Sequence, residues 1–406
     1  MVANNQTQVR VSKGIDDTRS ELREMAKQIH KHPEPGMEEK FAHDYLTKFL
    51  EEKGFQIEKG VADIATAFVA TYDTGRPGPR IGICSEFDAL PLSKKVVKHA
   101  CGHNLIATVG VATALGLKTA LSDSEYKAGG QIVLFGTPAE EDFGGKNYML
   151  AKGVFKAVDI CMMAHPNAGD KDFSRGPMIA RSSVKVEYFG KAAHAGMNPW
   201  GGINALDAIV LAYNGISTLR QQMVPTDRVH GIITHGGSAP NIIPDHTAGS
   251  FSCRSVNRDG LEKLGAHVDK IFRSAAEATG CKAELSWDES PYLDVKNNKV
   301  LMDLYAKAMT EAGYSDRNPG VKNPDPLTSS TDFGSVSYSM PAIHPMFGIN
   351  TASTPHTADF VDAAAQDVAF DNALVTAKSL ATAGLTVLED KEVYNNIVKE
   401  FQQLKK

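Results

Sequence analysis

Four separated pieces of this chain carry side chains that bind divalent metals. They are His99-Ala100-Cys101-Gly102-His103, Glu140-Glu141, Ala164-His165-Pro166 and Pro355-His356-Thr357. Together they supply one thiolate, three or four imidazoles and two adjacent carboxylates, each beside an apolar strand or a Gly/Pro turn. Those ligand types suit zinc or manganese. A site that only holds metal has no need of a second carboxylate beside a ligand, whereas one that activates water needs a base there. The set therefore points to hydrolysis.

Each piece has a plainer reading when taken alone. A Cys-x-His can be a buried thiol beside a structural histidine, and an acidic doublet is usually solvated surface. Glu140-Glu141, however, follow an apolar strand, where adjacent side chains point to opposite sides. One can bind metal while its neighbour faces the water. His165 ends the apolar run Cys161-Met162-Met163-Ala164, and His356 sits in a loop of small residues where contact with metal or substrate outweighs core packing. Bound to a divalent ion, Cys101 is deprotonated outright, and its thiolate can bridge two metals. A thiol-redox role for Cys101 is disfavoured, because no partner cysteine lies near it in sequence.

The periodicity shows what positions these pieces. Helical spacing runs from about Asp16 to His32 and from about Met37 to Lys53. Apolar runs then alternate with helices: Ala65–Tyr72, Arg80–Ser85, a helix over Ile106–Ser122, Gly130–Thr137, a helix over Gly145–Lys152, and Val158–Ala164. This order predicts an α/β domain around a largely parallel central sheet, with the motifs at strand ends, where open α/β sheets place their sites. From Arg181 to Leu293 the pattern changes. Strand-like runs at Ser182–Phe189, Val229–Thr234, Ala248–Val256 and Lys282–Trp287 enclose helices over Ile203–Gln222 and Leu261–Thr279. That β-α-β-β-α-β order is the ferredoxin-like plan. Because His356 lies far downstream, residues 181–293 are expected to be an inserted domain, with 1–180 and 294–406 forming one discontinuous catalytic domain.

Composition sets the outer limits. A chain of 406 residues is long for one core, and 42% hydrophobic with 22% charged residues is ordinary for a globular enzyme. A net charge of -5, with no basic stripe, argues against nucleic acid as a partner. The Lys-rich stretches Lys94–Lys98 and Lys405-Lys406 are read as solvated surface. No apolar run is expected to span a membrane, and the N-terminus does not resemble a secretory signal. Five cysteines at no regular spacing suggest a reduced, cytoplasmic setting.

Longer motifs carry a resemblance. Glu86-Phe87-Asp88-Ala89-Leu90-Pro91, His99–Asn104, Pro138-Ala139-Glu140-Glu141, Ala192-Ala193-His194-Ala195, Ala239–Pro244 and His356–Phe360 resemble the Cys-containing amidohydrolase branch of the aminoacylase/carboxypeptidase-G/auxin-conjugate hydrolase metallopeptidases. The resemblance runs from about residue 16 to 385. Asn104-Leu105-Ile106-Ala107 is most similar to the aminoacylase-1-like dipeptidase group. The resemblance implies a zinc-peptidase-like α/β catalytic domain with a mixed central sheet, plus an inserted ferredoxin-like α+β lid and dimerisation domain. It implies two divalent ions per chain, zinc or manganese with cobalt as a further option, and a homodimer formed through the insert.

Carried over motif by motif, Cys101 would bridge the metals, with His103 and His165 completing one ion and Glu141 and His356 the other. Glu140 would be the general base, and Asp88 the acid that holds a ligand histidine in its productive tautomer. His194 would reach a neighbouring subunit's site to polarise the scissile carbonyl. Asn241 would position substrate, and Arg254 would pair with its carboxylate. The implied activity is metal-dependent cleavage of N-acyl amino acids or related small conjugates. The alternatives are a dipeptidase acting on unblocked dipeptides, and an inactive protein that binds an amino-acid conjugate. Two departures stand out. Asn104 replaces the Asp common after Cys-Gly-His, and the Leu92–Lys98 segment is basic and longer than in the dipeptidase-like group.

Overall fold

The computed structural model describes residues 5–93, 96–123, 127–176, 178–317 and 329–404. Lys94, Lys95, Lys405 and Lys406, read above as surface, lie outside the described residues. The chain forms two compact units. One comprises Met1–Pro177, Val295–Asp325 and Asp332–Lys406; the other comprises Met178–Asp294 with Pro326–Thr331.

The first unit is built on a six-stranded sheet in the order Gln56–Lys59, Phe68–Asp73, Gln131–Thr137, Arg80–Glu86, Ile160–Met162, Ala342–Ile343. The last four are mutually parallel and the first two antiparallel, so the sheet is mixed. The sequence expectation of a largely parallel sheet holds for the strands beside the site and fails at one edge. There residues 60–67 alone join two strands, too short a link for a parallel crossover. Strands Arg80–Glu86 and Gln131–Thr137 are buried almost from end to end. That explains why they read as continuous apolar runs rather than alternating ones.

Helix His103–Ser122 is the core element of this unit. Its length and mean hydropathy of 1.5 would pass for a membrane span, contrary to the sequence expectation, yet 83% of that apolar window is buried inside the unit. Helices Asn5–Asp16 and Asp367–Glu389 pack along it, as does strand Arg80–Glu86. Gly110 sets the approach to that strand, since a Cβ there would lie 2.9 Å from Ser85 Cβ and 3.4 Å from the Cys84 carbonyl oxygen. The N-terminal helix is an addition to the sequence reading. It ends at Asp16, and the helix expected from about Asp16 to His32 begins at Arg19 and runs to Lys31.

The second unit is a four-stranded antiparallel sheet ordered Arg228–His235, His246–Ser255, Ala180–Phe189, Lys282–Trp287, with helices Ala205–Leu219 and Arg258–Thr279. Strict alternation along Ala180–Phe189 buries Val184, Val186 and Tyr188 beside Phe251 of the neighbouring strand and against Ile209 and Phe272 of the helical layer. Asn204 and Asn257 cap the helices by accepting the Leu206 and Gly260 N–H groups. The architecture is an α/β catalytic unit with an inserted ferredoxin-like unit.

The packing of the core helix on the sheet is checkable at Gly110. Gly110→Val should lower the unfolding free energy by about 1–3 kcal/mol through overpacking. Urea titration followed by far-UV circular dichroism would measure it.

Candidate metal centre

The sheet delivers acids and imidazoles to one end. Glu86 and Asp88 follow strand Arg80–Glu86, Glu140 and Glu141 follow Gln131–Thr137, and His165 follows Ile160–Met162. The Cys101-Gly102-His103 turn enters the core helix beside them. Gly102 has φ +78°, and a Cβ there would stand 2.7 Å from Pro166 Cγ, so the turn and the His165 segment fit only with glycine.

Of the six described non-glycine residues with left-handed φ, two stand at the site, Ala139 at φ +59° and His356 at φ +71°. Such conformations are costly and persist where neighbours enforce them. Here they are enforced. The Ala139 N–H donates to Glu39 Oε1 at 2.8 Å, and the Ala139 carbonyl accepts from the Phe143, Gly144 and Gly145 N–H groups. The His356 N–H donates to the Ala100 carbonyl at 2.7 Å, bringing a loop from far downstream to Cys101.

Among the described residues, the ligand atoms of Cys101, His103 and His165 lie within 4.8 Å of one another, and so do those of Cys101, Glu141 and His356. The two trios share the Cys101 sulfur. His103, Glu140 and Glu141 form a further trio by the same measure. The tautomers follow from the outer hydrogen bonds. His103 Nδ1–H donates to Asp88 Oδ1 at 2.9 Å, and His165 Nδ1–H donates to the Pro166 carbonyl at 2.7 Å. In each ring Nε2 is left as an acceptor facing the cluster, 3.3 Å from Cys101 Sγ in the case of His165.

His103 Nε2 and Glu141 Oε1 are buried, without hydrogen-bond partners, and 3.7 Å apart. The other Glu141 oxygen is 3.4 Å from His356 Nε2. Two buried acceptors facing each other without a proton between them call for a cation. The donor set of thiolate, imidazole and carboxylate fits a dinuclear divalent site of the zinc or manganese kind.

The electrostatics follow from burial and crowding. Burial, then the nearby Glu86, Glu141 and Asp332 carboxylates, hold the Glu140 carboxyl well above the usual range. Burial, then His103, bring the His165 imidazole down to about 4, so it is neutral at pH 7. For Asp88 burial works upward, but the His103 ring against it brings the carboxyl below its usual value.

The other three sequence candidates, His194, Asn241 and Arg254, lie in the inserted unit. His194 and Asn241 sit on paired segments: Ala195 N–H donates to the Asn241 carbonyl at 3.0 Å, and Ile243 N–H to the Ala193 carbonyl at 2.9 Å. His194 is exposed, and its Nδ1 accepts from the Gly196 and Met197 N–H groups at 3.2 and 3.1 Å. A neutral ring held this way carries its proton on Nε2 and offers it outward. Arg254 is not brought to this pair. It lies near the far end of strand His246–Ser255, where Nη1 donates to Ser330 Oγ and Nε to His230 Nε2. At about 3.3 Å per residue, that end is roughly 26 Å from His246.

His99, counted among the candidate imidazoles, joins none of these clusters among the described residues; it is buried and stacks on His30 at 6.1 Å. Asn104 donates from Nδ2 to the Ala364 carbonyl at 3.0 Å, a bond that an ionised Asp could not make. Several buried residues escaped the sequence reading: Glu39 under Ala139, the Lys146–Asp332 pair, and His344, whose ring lies 6.0 Å from His165. For His344 a signal existed, since His344-Pro345 after an apolar strand repeats the form of His165-Pro166.

Comparison with known proteins adds to this geometry. Residues 181–280 match the family model described as a peptidase dimerisation domain. The chain is 39% identical over 403 residues to the Xaa-Arg dipeptidase of Mus musculus, covering 97% of this chain and 91% of that protein. It is 27% identical over 464 residues to a p-aminobenzoyl-glutamate hydrolase of Escherichia coli K12, covering 97% and 94%. A solved dinuclear metal-binding peptidase of Bacillus subtilis, from the M20 family, shares the fold, with a TM-score of 0.70 at 21% identity over 92% of this chain and 99% of that one.

The shared sulfur has a stoichiometric consequence. Cys101→Ala should abolish the binding of both ions, whereas His165→Ala and His356→Ala should each leave about one ion per chain. Elemental analysis after exhaustive dialysis would read the three numbers directly.

Proposed function

The chain belongs to the M20 family of metal-dependent peptidases and amidohydrolases, and on that premise we propose that it cleaves the amide bond of a dipeptide or N-acyl amino acid. It is a hydrolase with a dinuclear divalent-metal site. The observation that carries the proposal is the pair of ligand trios meeting at Cys101 with Glu140 buried beside them. His103 and His165 would serve one ion, Glu141 and His356 the other, and Cys101 both.

Bound divalent ions supply Lewis acidity, polarising a carbonyl and acidifying water. The remaining work belongs to the chain. Glu140, held above the usual carboxyl range chiefly by burial, takes a proton from water as the new C–O bond forms. It returns that proton to the amide nitrogen as the C–N bond breaks. Asp88 fixes the His103 ring so that Nε2 keeps facing the cluster. His194 Nε2–H would donate to the carbonyl oxygen as negative charge gathers there. Asn241 would position the substrate, and the Arg254 guanidinium would receive its carboxylate.

The substrate reading favours dipeptides ending in arginine, on the strength of the 39% identity to a dipeptidase of that name across nearly the whole chain. Hydrolysis of N-acyl conjugates is the second reading. It is favoured by the E. coli relative, whose name specifies an aminobenzoyl-glutamate amide. A homodimer follows from a distance argument. His194 and Asn241 lie beyond the His246 end of the sheet, and Arg254 lies about 26 Å from His246 along its strand, too far for one small substrate to touch both sets in the same chain. Two chains would share each site, with the exposed edge strand Arg228–His235, where Ile232 is 65% exposed, offering a pairing surface. The five cysteines are free thiols, which suits the reducing cytoplasm expected from the sequence.

With metal restored, the protein should release amine from a panel of dipeptides and N-acyl amino acids, and a chelator should abolish the release. Xaa-Arg dipeptides should exceed acylated substrates in kcat/KM; the reverse order would make it an N-acyl amidohydrolase. Glu140→Gln should keep both ions and lose about three orders of magnitude in kcat, a typical effect for a general base. Near-normal turnover in that variant would remove Glu140 from its role. Mixing the two kinds of chain tests the shared site. Glu140→Gln and His194→Ala, each inactive alone, should together recover about a quarter of wild-type activity if random pairing assembles one intact site in each heterodimer. No recovery would place His194 in its own chain's site.

A further inference from the structure

Beneath Glu140 lies a set of charges that the mechanism above does not use. The side chains of Lys146, Glu86 and Asp332 have no exposed surface. The Lys146 ammonium is 2.5 Å from Glu86 Oε1 and 2.6 Å from Asp332 Oδ1, while the Lys146 backbone N–H donates to Asp332 Oδ2 at 2.8 Å. Asp332 thus grips Lys146 at both ends.

Carboxylate oxygens of Glu86, Glu140 and Asp332 approach within 4.8 Å of one another. Buried carboxylates at that spacing repel strongly and need a cation among them. Here the cation is part of the chain. A third metal ion in this group would meet the Lys146 ammonium. Burial works against the charge on Lys146, but Asp332, Glu86 and Glu140 outweigh it and hold the ammonium well above the usual lysine range.

The connection to the reacting centre is short on both sides. Lys146 is the second residue of helix Gly145–Ala151, which directly follows the 139–144 loop that carries Glu140. That loop is closed by Phe143, Gly144 and Gly145 N–H groups on the Ala139 carbonyl. On the other side, Glu86 uses one oxygen for Lys146 and leaves Oε2, buried and without a hydrogen-bond partner, 3.6 Å from His103 Nε2.

We propose that Lys146 is a positioning residue for catalysis: its ammonium is the fixed countercharge that lets Glu86, Glu140 and Asp332 converge, and so keeps the Glu140 carboxylate aimed at the scissile bond. The inference rests on the reading of Glu140 as the general base. A buried ion pair that served only the fold would affect stability alone.

The test uses a charge-conserving double variant, Lys146→Met with Asp332→Asn, which removes the ammonium and one carboxylate together. Glu86 and Glu140 then face each other without a countercharge. Relative to wild type, kcat should fall about 30-fold or more while KM stays within about threefold and two ions per chain remain bound. A kcat within about threefold of wild type overturns the proposal. So does loss of metal in step with loss of activity, which would assign the triad to the ligand set instead. Should the double variant not fold, Asp332→Asn alone decides, because it frees one of the two anchors and leaves the cation on Glu86. A kcat lower by about fivefold at unchanged KM and metal content supports the proposal, and an unchanged kcat overturns it. Lys146→Arg, which keeps the charge, should retain more activity than either. Normal turnover in Glu140→Gln would show that the base assignment itself has failed. A dead Glu140→Gln beside an active double variant would sink the Lys146 inference alone.

Discussion

The catalytic unit is organised by acceptors that face one another with no proton between them. His103 Nε2 and Glu141 Oε1 are buried 3.7 Å apart with no hydrogen bond between them, and with the ring proton on Nδ1 they cannot satisfy each other. The arrangement persists because the groups behind these atoms are tightly held. Asp88 accepts the His103 Nδ1 proton and, through its other oxygen, the Glu141 N–H at 3.1 Å, so one carboxylate fixes both a ring and the backbone of its neighbour. Strain is stored at Ala139 and His356, and each is held from outside, by Glu39 and by the Ala100 carbonyl. Much of the fold near the sheet end therefore serves to keep lone pairs pointed at a common centre.

The inserted unit obeys a different constraint. Its sheet is long relative to a dipeptide, and its chemistry-bearing residues sit at both ends. At one end the His194 ring is locked by two backbone donors into the tautomer that offers Nε2–H, and the Asn241 segment is bound alongside. At the other end Arg254 meets Arg181 and Arg228 in register across three strands, a basic row on one face of the sheet.

The sequence was most legible where local pattern and chemistry coincide. Strand ends bearing Glu140, Glu141 and His165 announce themselves by an apolar run that stops at a polar group, and the ferredoxin-like insert by its order of periods. Adjacent spacing made Cys101 and His103 visible, and the structure does bring them together with residues more than 250 positions downstream, such as His356. What stayed hidden has no local signature. Lys146 lies in a stretch that reads as an ordinary amphipathic helix, and its partner Asp332 is 186 residues away. Glu39 looks like one more surface acid until its oxygens are seen binding Thr66 and the Ala139 N–H. His99 misled for the converse reason: it stands in the right motif, but its ring turns to His30. The edge strand Gln56–Lys59 is mostly exposed, so no apolar alternation marks it.

Charge balance ties these findings together. Glu86, Asp88, Glu140, Glu141 and Asp332 gather five carboxylates in or beside the centre, and Cys101 adds a thiolate once a cation takes its proton. Against them the chain places Lys146 as a buried fixed cation. Alone it leaves a large uncompensated negative charge in a region almost sealed from water, which no folded protein sustains cheaply. Two divalent ions reduce the excess to a single negative charge. A proton passing from water to Glu140 would leave that total unchanged, because the negative charge moves from the carboxylate to the hydroxide. Burial first, and then crowding by the Glu86, Glu141 and Asp332 carboxylates, raises the proton affinity of Glu140. Lys146, buried against Glu86 and Asp332, is the part of that balance which the chain itself supplies.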